Sequence, residues 1–371
     1  MDVDRPAPDE LLPALLRAAD HPASPLAVLD PTWPGPLRAD ADRLLAAARE
    51  EGRLGRGDLV LFTSGSAGRP RGVVRTVSSW TASLDPLARL TGIGPDDIVW
   101  LPGPLTSSLT LYGGFSAATA GARLARGTPT PDVTAAHLVP TLLADACELA
   151  AGGGLPRLRT VVVAGAAMPA RLRARARSLG WRVVEYYGAA ELSFVGWRDD
   201  DGPFRDFPGA RVRLHENLLW VDSPYVARGY LDPRDLGPLR RDGPWATVSD
   251  AGRRVDGGWL VSGRAAGAVT TGGSTVLVEE VEAFVGALPG VREVAVAGWP
   301  HERLGEVVAA VVVPSVEAAA TSAALREACR DLPAPSRPRR WLTAPALPRT
   351  PAGKVDRTAL ARQLSGLPSL R

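Results

Sequence analysis

Leu59-Val60-Leu61-Phe62-Thr63-Ser64-Gly65-Ser66-Ala67-Gly68-Arg69-Pro70-Arg71-Gly72 runs from four apolar strand residues straight into a loop of hydroxyls and glycines. Two Ser, one Thr and three Gly let backbone N–H groups and hydroxyls converge on an anion without Cβ obstruction. Arg71 adds a permanent cation suited to phosphate oxygens. The spacing G-x-x-x-x-G-K-[ST] is absent, so this is not a Walker A loop. An ordinary flexible Gly/Ser turn is the plain alternative.

Outward from that loop, strands and helices alternate. Val161-Val162-Val163-Ala164 reads as a strand, Pro169 to Leu179 as a helix opened by Pro, and Arg182 to Tyr186 as the next strand. Apolar strands separated by helices of this length predict an α/β fold with a parallel sheet. Residues 1–57 read as a helical lead-in rich in Ala, Leu and Arg. From about Leu214 short strands and tight turns take over at Leu218-Leu219-Trp220-Val221, Trp245 to Val248 and Gly258-Trp259-Leu260-Val261, a small β subdomain. A compact α+β unit follows, helical over Val276 to Leu288 and Thr321 to Arg330, with strands at Glu293 to Ala297 and Val307 to Val313. The expected division is therefore 1–264 for the large domain and 265–371 for a small mobile one, hinged near Arg264.

Composition narrows the function. The 371 residues carry 43 Lys and Arg against 40 Asp and Glu, a formal net charge of +3. Only Arg171 to Arg177 forms a basic run, and no aromatic interleaves with its arginines for base stacking, so it reads as a solvated helix face and nucleic acid is not an expected partner. No apolar run approaches the roughly 20 residues a spanning helix needs. The acidic start, Met1-Asp2-Val3-Asp4, lacks the charge and apolar core of a signal peptide. Cys147 and Cys329 alone cannot build a disulfide framework or a zinc site, which suits a reducing cytoplasm.

Lysine occurs once, at Lys354; every other member of the 43 is Arg. In such a background a retained ammonium marks a place where a compact charge on a flexible stem is needed, or a chance survivor on a solvated loop. Its setting, Leu347-Pro348-Arg349-Thr350-Pro351-Ala352-Gly353-Lys354-Val355-Asp356-Arg357, is a stiff presented loop. At the end of a predicted strand, Tyr186-Tyr187-Gly188-Ala189-Ala190-Glu191 offers an aromatic for a base, a glycine for close approach and a carboxylate for Mg²⁺. A strand–turn–helix with a solvated Glu191 is the commoner explanation of such a segment. Asp250 could accept from ribose hydroxyls or cap a turn.

Taken in order, these stretches resemble the adenylate-forming superfamily of acyl-CoA synthetases, peptide-synthetase adenylation domains and luciferases. The likeness covers about Leu59 to Leu360. Thr63 to Gly72 looks like the phosphate loop, with Thr63, Ser64, Gly65, Ser66, Ala67 and Gly68 as binding residues. Gly165-Ala166-Ala167 looks like the adenine-side turn, and Tyr187 to Glu191, with Gly188 and Ala190, like the aromatic–Gly–Glu motif. Trp220 to Tyr230 matches W-V-x-x-P-x-V-x-x-G-Y. Asp250 falls at the ribose position, Arg264 at the hinge, and Gly272-Gly273 at the glycines of the thiol half-reaction. The resemblance makes Lys354, Glu191 and Arg71 catalytic, with Glu191 holding Mg²⁺. It implies ATP, Mg²⁺ and CoA (or a phosphopantetheine thiol) as cofactors. The implied reaction joins a small-molecule carboxylate to a thiol through an acyl-AMP. A carrier protein or an amine is the alternative acceptor, and a nucleotide-binding pseudoenzyme the alternative of another class.

Departures from the family pattern are Arg71 for Lys, Ala67 and Ala190 for Thr, Ala266 for the hinge Asp, and Pro104-Leu105-Thr106-Ser107 where an aromatic–His pair is usual. The chain is also shorter than usual ahead of the phosphate loop, as are compact bacterial ligases of the o-succinylbenzoate type. Tyr187 to Val195 looks more like small fatty-acyl ligases.

Overall fold

A computed structural model of the chain describes residues 2–33, 35–63, 70–235, 237–264, 269–271, 274–276, 278–301, 304–315, 321–332, 334–351 and 353–370. Its largest sheet has seven strands in the order Arg205–Asp206, Ser193–Arg198, Arg182–Ala189, Thr160–Val163, Ala135–Leu138, Ile98–Leu101, Arg123–Arg126. The last five run parallel to one another. Ser193–Arg198 returns antiparallel to them and Arg205–Asp206 antiparallel to it, so the sheet is mixed rather than parallel throughout.

Burial explains the apolar run that announces the middle strand. Val161 and Val163 pack with Leu143, Ala146 and Cys147 of helix Pro140–Ala151 and with Ala176 of helix Ala170–Ser178. Val162 points the other way, toward Leu101 and Ala117, the latter on helix Ser108–Thr119. A strand covered on both faces loses the polar alternation of a half-exposed one. Pro169 stands just outside its helix as the N-cap residue.

The basic run departs from the expected solvated face at Arg173. Arg173 is buried and ion-paired to buried Glu185 at 2.6 Å, Arg175 reaches Glu148 at 2.6 Å, and Arg177 reaches Asp201 at 2.9 Å. Arg173 ties the helix to the strand Arg182–Ala189, whereas Arg175 pairs with Glu148 of helix Pro140–Ala151 and, like Arg171, is exposed, so the solvated face fails at Arg173 alone. The periodicity of a helix shows which residues share a side, but not which acidic groups the fold brings to them.

A second sheet, ordered Leu26–Val28, Asp58–Thr63, Arg71–Thr76, Gly229–Tyr230, holds the two ends of the Gly/Ser loop. Asp58–Thr63 and Arg71–Thr76 are antiparallel, with Thr63 opposite Arg71. The lead-in is consequently not all helical: helices Leu11–Asp20 and Gly35–Glu50 flank the strand Leu26–Val28. The β subdomain comprises Arg240–Asp242, Trp245–Thr247, Leu218–Asp222, Asp250–Val255 and Gly258–Arg264, with Arg211–His215 beside Leu218–Asp222. Fully buried Trp259 joins it to the large sheet, lying within 2.3 Å of where a Gly196 Cβ would sit and donating Nε1–H to Asp206 at 2.9 Å. Any side chain at Gly196 would displace that indole.

The C-terminal unit has its own sheet, Ser274–Val276, Val269–Thr271, Gly305–Pro314, Val291–His301, with Arg340–Thr343 parallel to Gly305–Pro314. Helix Val278–Gly286 covers one face through Val281 and Val285 against Val296, Val308 and Val312. The helix begins after a strand that ends at Val276, later than the sequence suggests. The strand expected at Glu293 to Ala297 is also longer, Val291–His301, because its whole length pairs with Gly305–Pro314. Among the described residues no helix is long and apolar enough to cross a membrane.

Candidate active site

The parallel strands deliver their C-terminal ends to one edge, where chain crossings leave room for ligands. After Arg182–Ala189 the chain does not enter a helix. It turns back through Ala190-Glu191-Leu192 into Ser193–Arg198, with Ala189 opposite Ser193 and Ser193 at φ 58°. Gly188 is needed there, because a Cβ would fall 1.8 Å from the Ser193 carbonyl oxygen. Glu191 is thus the tip of a hairpin and is 6% exposed, not solvated. Its Oε1 accepts from the Tyr230 hydroxyl at 3.0 Å, and its carbonyl accepts from Ala227 N–H at 2.7 Å. Burial, and then the adjacent Glu191, raise the Tyr230 phenol well above its ordinary value, which keeps it a proton donor to the carboxylate. The same hydroxyl accepts from Leu239 N–H at 2.9 Å.

Arg71 stands beside this pair. Its Nε donates to Asp235 at 2.8 Å, and its guanidinium lies 5.3 Å from the centre of the Tyr230 ring. Gly72 follows because a Cβ would meet Leu231 at 2.8 Å. The phosphate-loop residues Ser64, Gly65, Ser66, Ala67 and Gly68 lie outside the described residues, as do Ala266, Gly272 and Gly273. Thr63 is placed as the last residue of its strand.

Earlier on the strand Arg182–Ala189 the Tyr187 hydroxyl donates to Asp250, bringing together two positions 63 residues apart. The Tyr187 ring meets Trp259 edge-on at 5.5 Å. Asp250, buried, opens its strand and sits opposite Arg264 in the ladder. Gly165, Ala166 and Ala167 follow the strand Thr160–Val163, with Gly165 at φ 91°.

The lysine loop arrives from the other domain. Arg349 bridges Val355, Gly353 N–H donates to the Thr350 carbonyl at 2.8 Å, and Thr350 N–H donates to the Lys354 carbonyl at 2.8 Å, forming a tight turned tip. Thr141 Oγ1 donates to the Gly353 carbonyl at 3.2 Å. Lys354 Cε then lies 3.3 Å from the point a Gly165 Cβ would occupy, beside Val139 and Leu109. Farther out, Arg171 donates to the carbonyls of Val291 and, at 2.8 Å, Arg292. A cleft of about 610 Å³ adjoins the loop, lined by Leu101 to Pro104, Arg126, Gly127 and Pro351 among others.

Sequence reasoning missed Asp235 and the donor role of Tyr230, because Asp235 meets Arg71, and Tyr230 meets Glu191, only through tertiary folding. It also missed Arg75, though an arginine within Val73-Val74-Arg75-Thr76 was a visible break in an apolar strand. Among the described residues no cluster of three His, Cys, Asp or Glu could hold a metal by itself. Glu191 therefore fits Mg²⁺ only as one ligand of a metal that arrives with phosphates, the usual way that ion is held.

A family model described as AMP-binding enzyme matches residues 57–231, and one described as AMP-binding enzyme C-terminal domain matches 280–354. A probable 2-succinylbenzoate–CoA ligase of Mycobacterium tuberculosis is 34% identical over 333 residues, covering 83% of this chain and 85% of that protein. The 2-succinylbenzoate–CoA ligase of Escherichia coli is 30% identical over 310 residues, covering 81% and 67%. Among solved structures, a variant of E. coli MenE with bound OSB-AMS superposes with a TM-score of 0.70 at 28% identity, covering 82% of this chain and 68% of that one. The amide bond synthetase McbA from Marinactinospora thermotolerans shares the fold, with a TM-score of 0.81 at 23% identity over 98% and 89%.

The family models and the curated relatives make the chain an enzyme of the AMP-forming acid–thiol ligase class. The chain belongs to the AMP-binding enzyme family of the adenylate-forming superfamily.

Proposed function

We propose that the chain activates an aryl- or acyl-carboxylate with ATP and transfers it to CoA, with acids of the 2-succinylbenzoate kind the first candidates and fatty acids the second. One observation carries the reading: the single lysine of the sequence is laid against Gly165, at the edge where Glu191 and the Tyr187–Asp250 pair also gather. In the first step a carboxylate oxygen attacks the α-phosphorus of MgATP, forming acyl-AMP as the bond to the bridging oxygen breaks and pyrophosphate leaves. In the second, a thiol, losing its proton, attacks the acyl carbon and AMP departs. Charge builds on phosphoryl oxygens in the first step, so fixed cations and positioning are what the protein must supply.

Lys354 is assigned to the carboxylate and α-phosphate, Arg71 and the Thr63 to Gly68 loop to the terminal phosphates, and Glu191 to the metal that accompanies them. Tyr187, Gly165, Ala166 and Ala167 take the adenine side, and Asp250 the ribose. Arg71 must exchange Asp235 for phosphate oxygens, both being anions it can hold through its fork. Arg264 opens the hinge between domains divided at 264 and 265, and Gly272 and Gly273 serve the thiol step. That the curated relatives are named CoA ligases supports CoA over a carrier protein. Two buried free cysteines accord with a cytoplasmic setting.

The test is ATP–pyrophosphate exchange across a panel of carboxylates, followed by product analysis with and without CoA. Exchange that depends on a carboxylate, and a thioester that depends on CoA, are expected. ATP binding with no exchange for any acid would leave a nucleotide-binding pseudoenzyme. An acyl-AMP that ignores CoA and acylates an amine would move the chain to amide synthesis.

A further inference from the structure

Arg75 lies four residues past Arg71 on the strand Arg71–Thr76, and it is only 1% exposed. Among the described residues it forms no ion pair. A buried unpaired guanidinium is costly to a fold and calls for a reason. Each of its three nitrogens donates at one junction. Nη1 donates to the Ala190 carbonyl at 2.9 Å, Nη2 to the Tyr225 carbonyl, and Nε to Ser79 Oγ at 3.1 Å, while the plane rests 5.5 Å from the centre of the Trp80 ring. Ala190 is the residue before Glu191. Tyr225 begins the segment that pairs with this same strand and ends at Tyr230, the hydrogen-bond donor to Glu191.

Glu191 is consequently gripped from both sides along the main chain: Arg75 holds the carbonyl ahead of it, and Ala227 N–H holds its own carbonyl. Tyr230 then fixes the carboxylate. One rigid, planar side chain binds three elements: the strand leaving the phosphate loop, the Glu191 hairpin and the Tyr225–Tyr230 segment. An ammonium could not span both carbonyls, since it lacks the fork.

We propose that Arg75 is a positioning residue for the adenylation step, setting the Glu191 carboxylate where MgATP needs it by holding the Ala190 and Tyr225 carbonyls. The proposal rests on the function assigned above. The residue touches neither nucleotide nor acid; it acts through Glu191.

The experiment is ATP–pyrophosphate exchange with MgATP and an acid that the wild type uses, in Arg75→Lys, Glu191→Gln and the double variant. Arg75→Lys is expected to lower kcat and raise the MgATP KM, together about 10- to 100-fold in kcat/KM, with the carboxylate KM unchanged. The Mg²⁺ concentration for half-maximal rate should rise with it. In the Glu191→Gln background the same change should add about twofold at most, since the two residues act as a unit. Ser79→Ala, which loosens only the Nε contact, should shift the MgATP KM in the same direction by less. Additive losses, or a fall in melting temperature with the MgATP KM and Mg²⁺ requirement unmoved, would reduce Arg75 to a structural support. A Lys variant too unstable to assay leaves Ser79→Ala to decide, and an unmoved MgATP KM there overturns the proposal. Absence of exchange in the wild type with every acid would instead overturn the functional reading, so the two failures are distinguishable.

Discussion

The part of the proposed site around Glu191 and Arg71 and the part around Lys354 are built differently. Around Glu191 and Arg71 the partners come from separate parts of the large domain: Tyr230, Asp235, Ala227 and Arg75. The carboxylate is buried, and its surroundings exist before any ligand arrives. Around Lys354 the loop is held by its own main-chain turn and seated on the large domain by Thr141 to Gly353, while Arg171, bonded to the Val291 and Arg292 carbonyls, holds the sheet behind it. The lysine itself is exposed. Burial and cross-linking make a permanent cradle, whereas a short list of hydrogen bonds makes a seat that can be left. A two-step reaction with one acid site and two successive partners needs one of each.

The sharpest way to break that comparison is at the lysine. Lys354→Ala, and equally Lys354→Arg, should cut pyrophosphate exchange by about 10²- to 10³-fold, the scale of removing one preorganised charge from a transition state. Melting temperature should hold, because the side chain supports no core. Near-normal exchange in Lys354→Arg would mean that charge alone suffices there.

Next in size is an acid effect beneath the lysine-side seat. His137, on the strand that leads to the Val139–Thr141 seat, is pulled down to about 4 by burial. Unfolded, it titrates near 6.5, so between those values the unfolded chain binds the extra proton. Stability is then full above about pH 6.5, falls as pH drops, and levels off below about 4, a loss on the order of 3 kcal/mol from this group. Denaturant unfolding at pH 7 and 4.5 should lose less in His137→Gln than in wild type. Parallel losses would place the acid sensitivity elsewhere.

Smaller still are changes at the cradle's cation. Arg71→Ala should raise the MgATP KM about tenfold, the worth of one charge-assisted contact, and leave the carboxylate KM alone. Calorimetry with MgATP checks it directly. An unchanged affinity would show that Asp235 keeps Arg71 for structure.

What was legible in the chain follows from the same division. Val161 to Val163 announced their strand because both faces are covered, and Lys354 stood out because no other lysine exists. The tight loop around Lys354 is local, so prolines and glycine foretold it. The cradle is not local. Glu191 read as a solvated turn residue, yet Tyr230 and Ala227, far along the chain, bury it. Arg173 read as surface, yet Glu185 on the neighbouring strand takes it inside. Spacing along one element cannot report a partner that folding supplies, and the mixed sheet escaped notice for the same reason: antiparallel return is a matter of register.

The hairpin at Thr63 and Arg71 has one last consequence. Where a glycine-rich loop feeds a helix, the helix dipole lends the anion a fixed, partly buried attraction. Here the chain re-enters an antiparallel strand, and strand dipoles alternate and nearly cancel. Under the proposed function, the pull on a triphosphate from this quarter has no helix dipole behind it and leans on loop amides and on side-chain cations such as Arg71, part of which faces solvent. Ions in the medium shield such charges over about 8 Å at physiological salt. Nucleotide capture at the proposed site is therefore expected to weaken with ionic strength more than capture at a helix-headed phosphate loop.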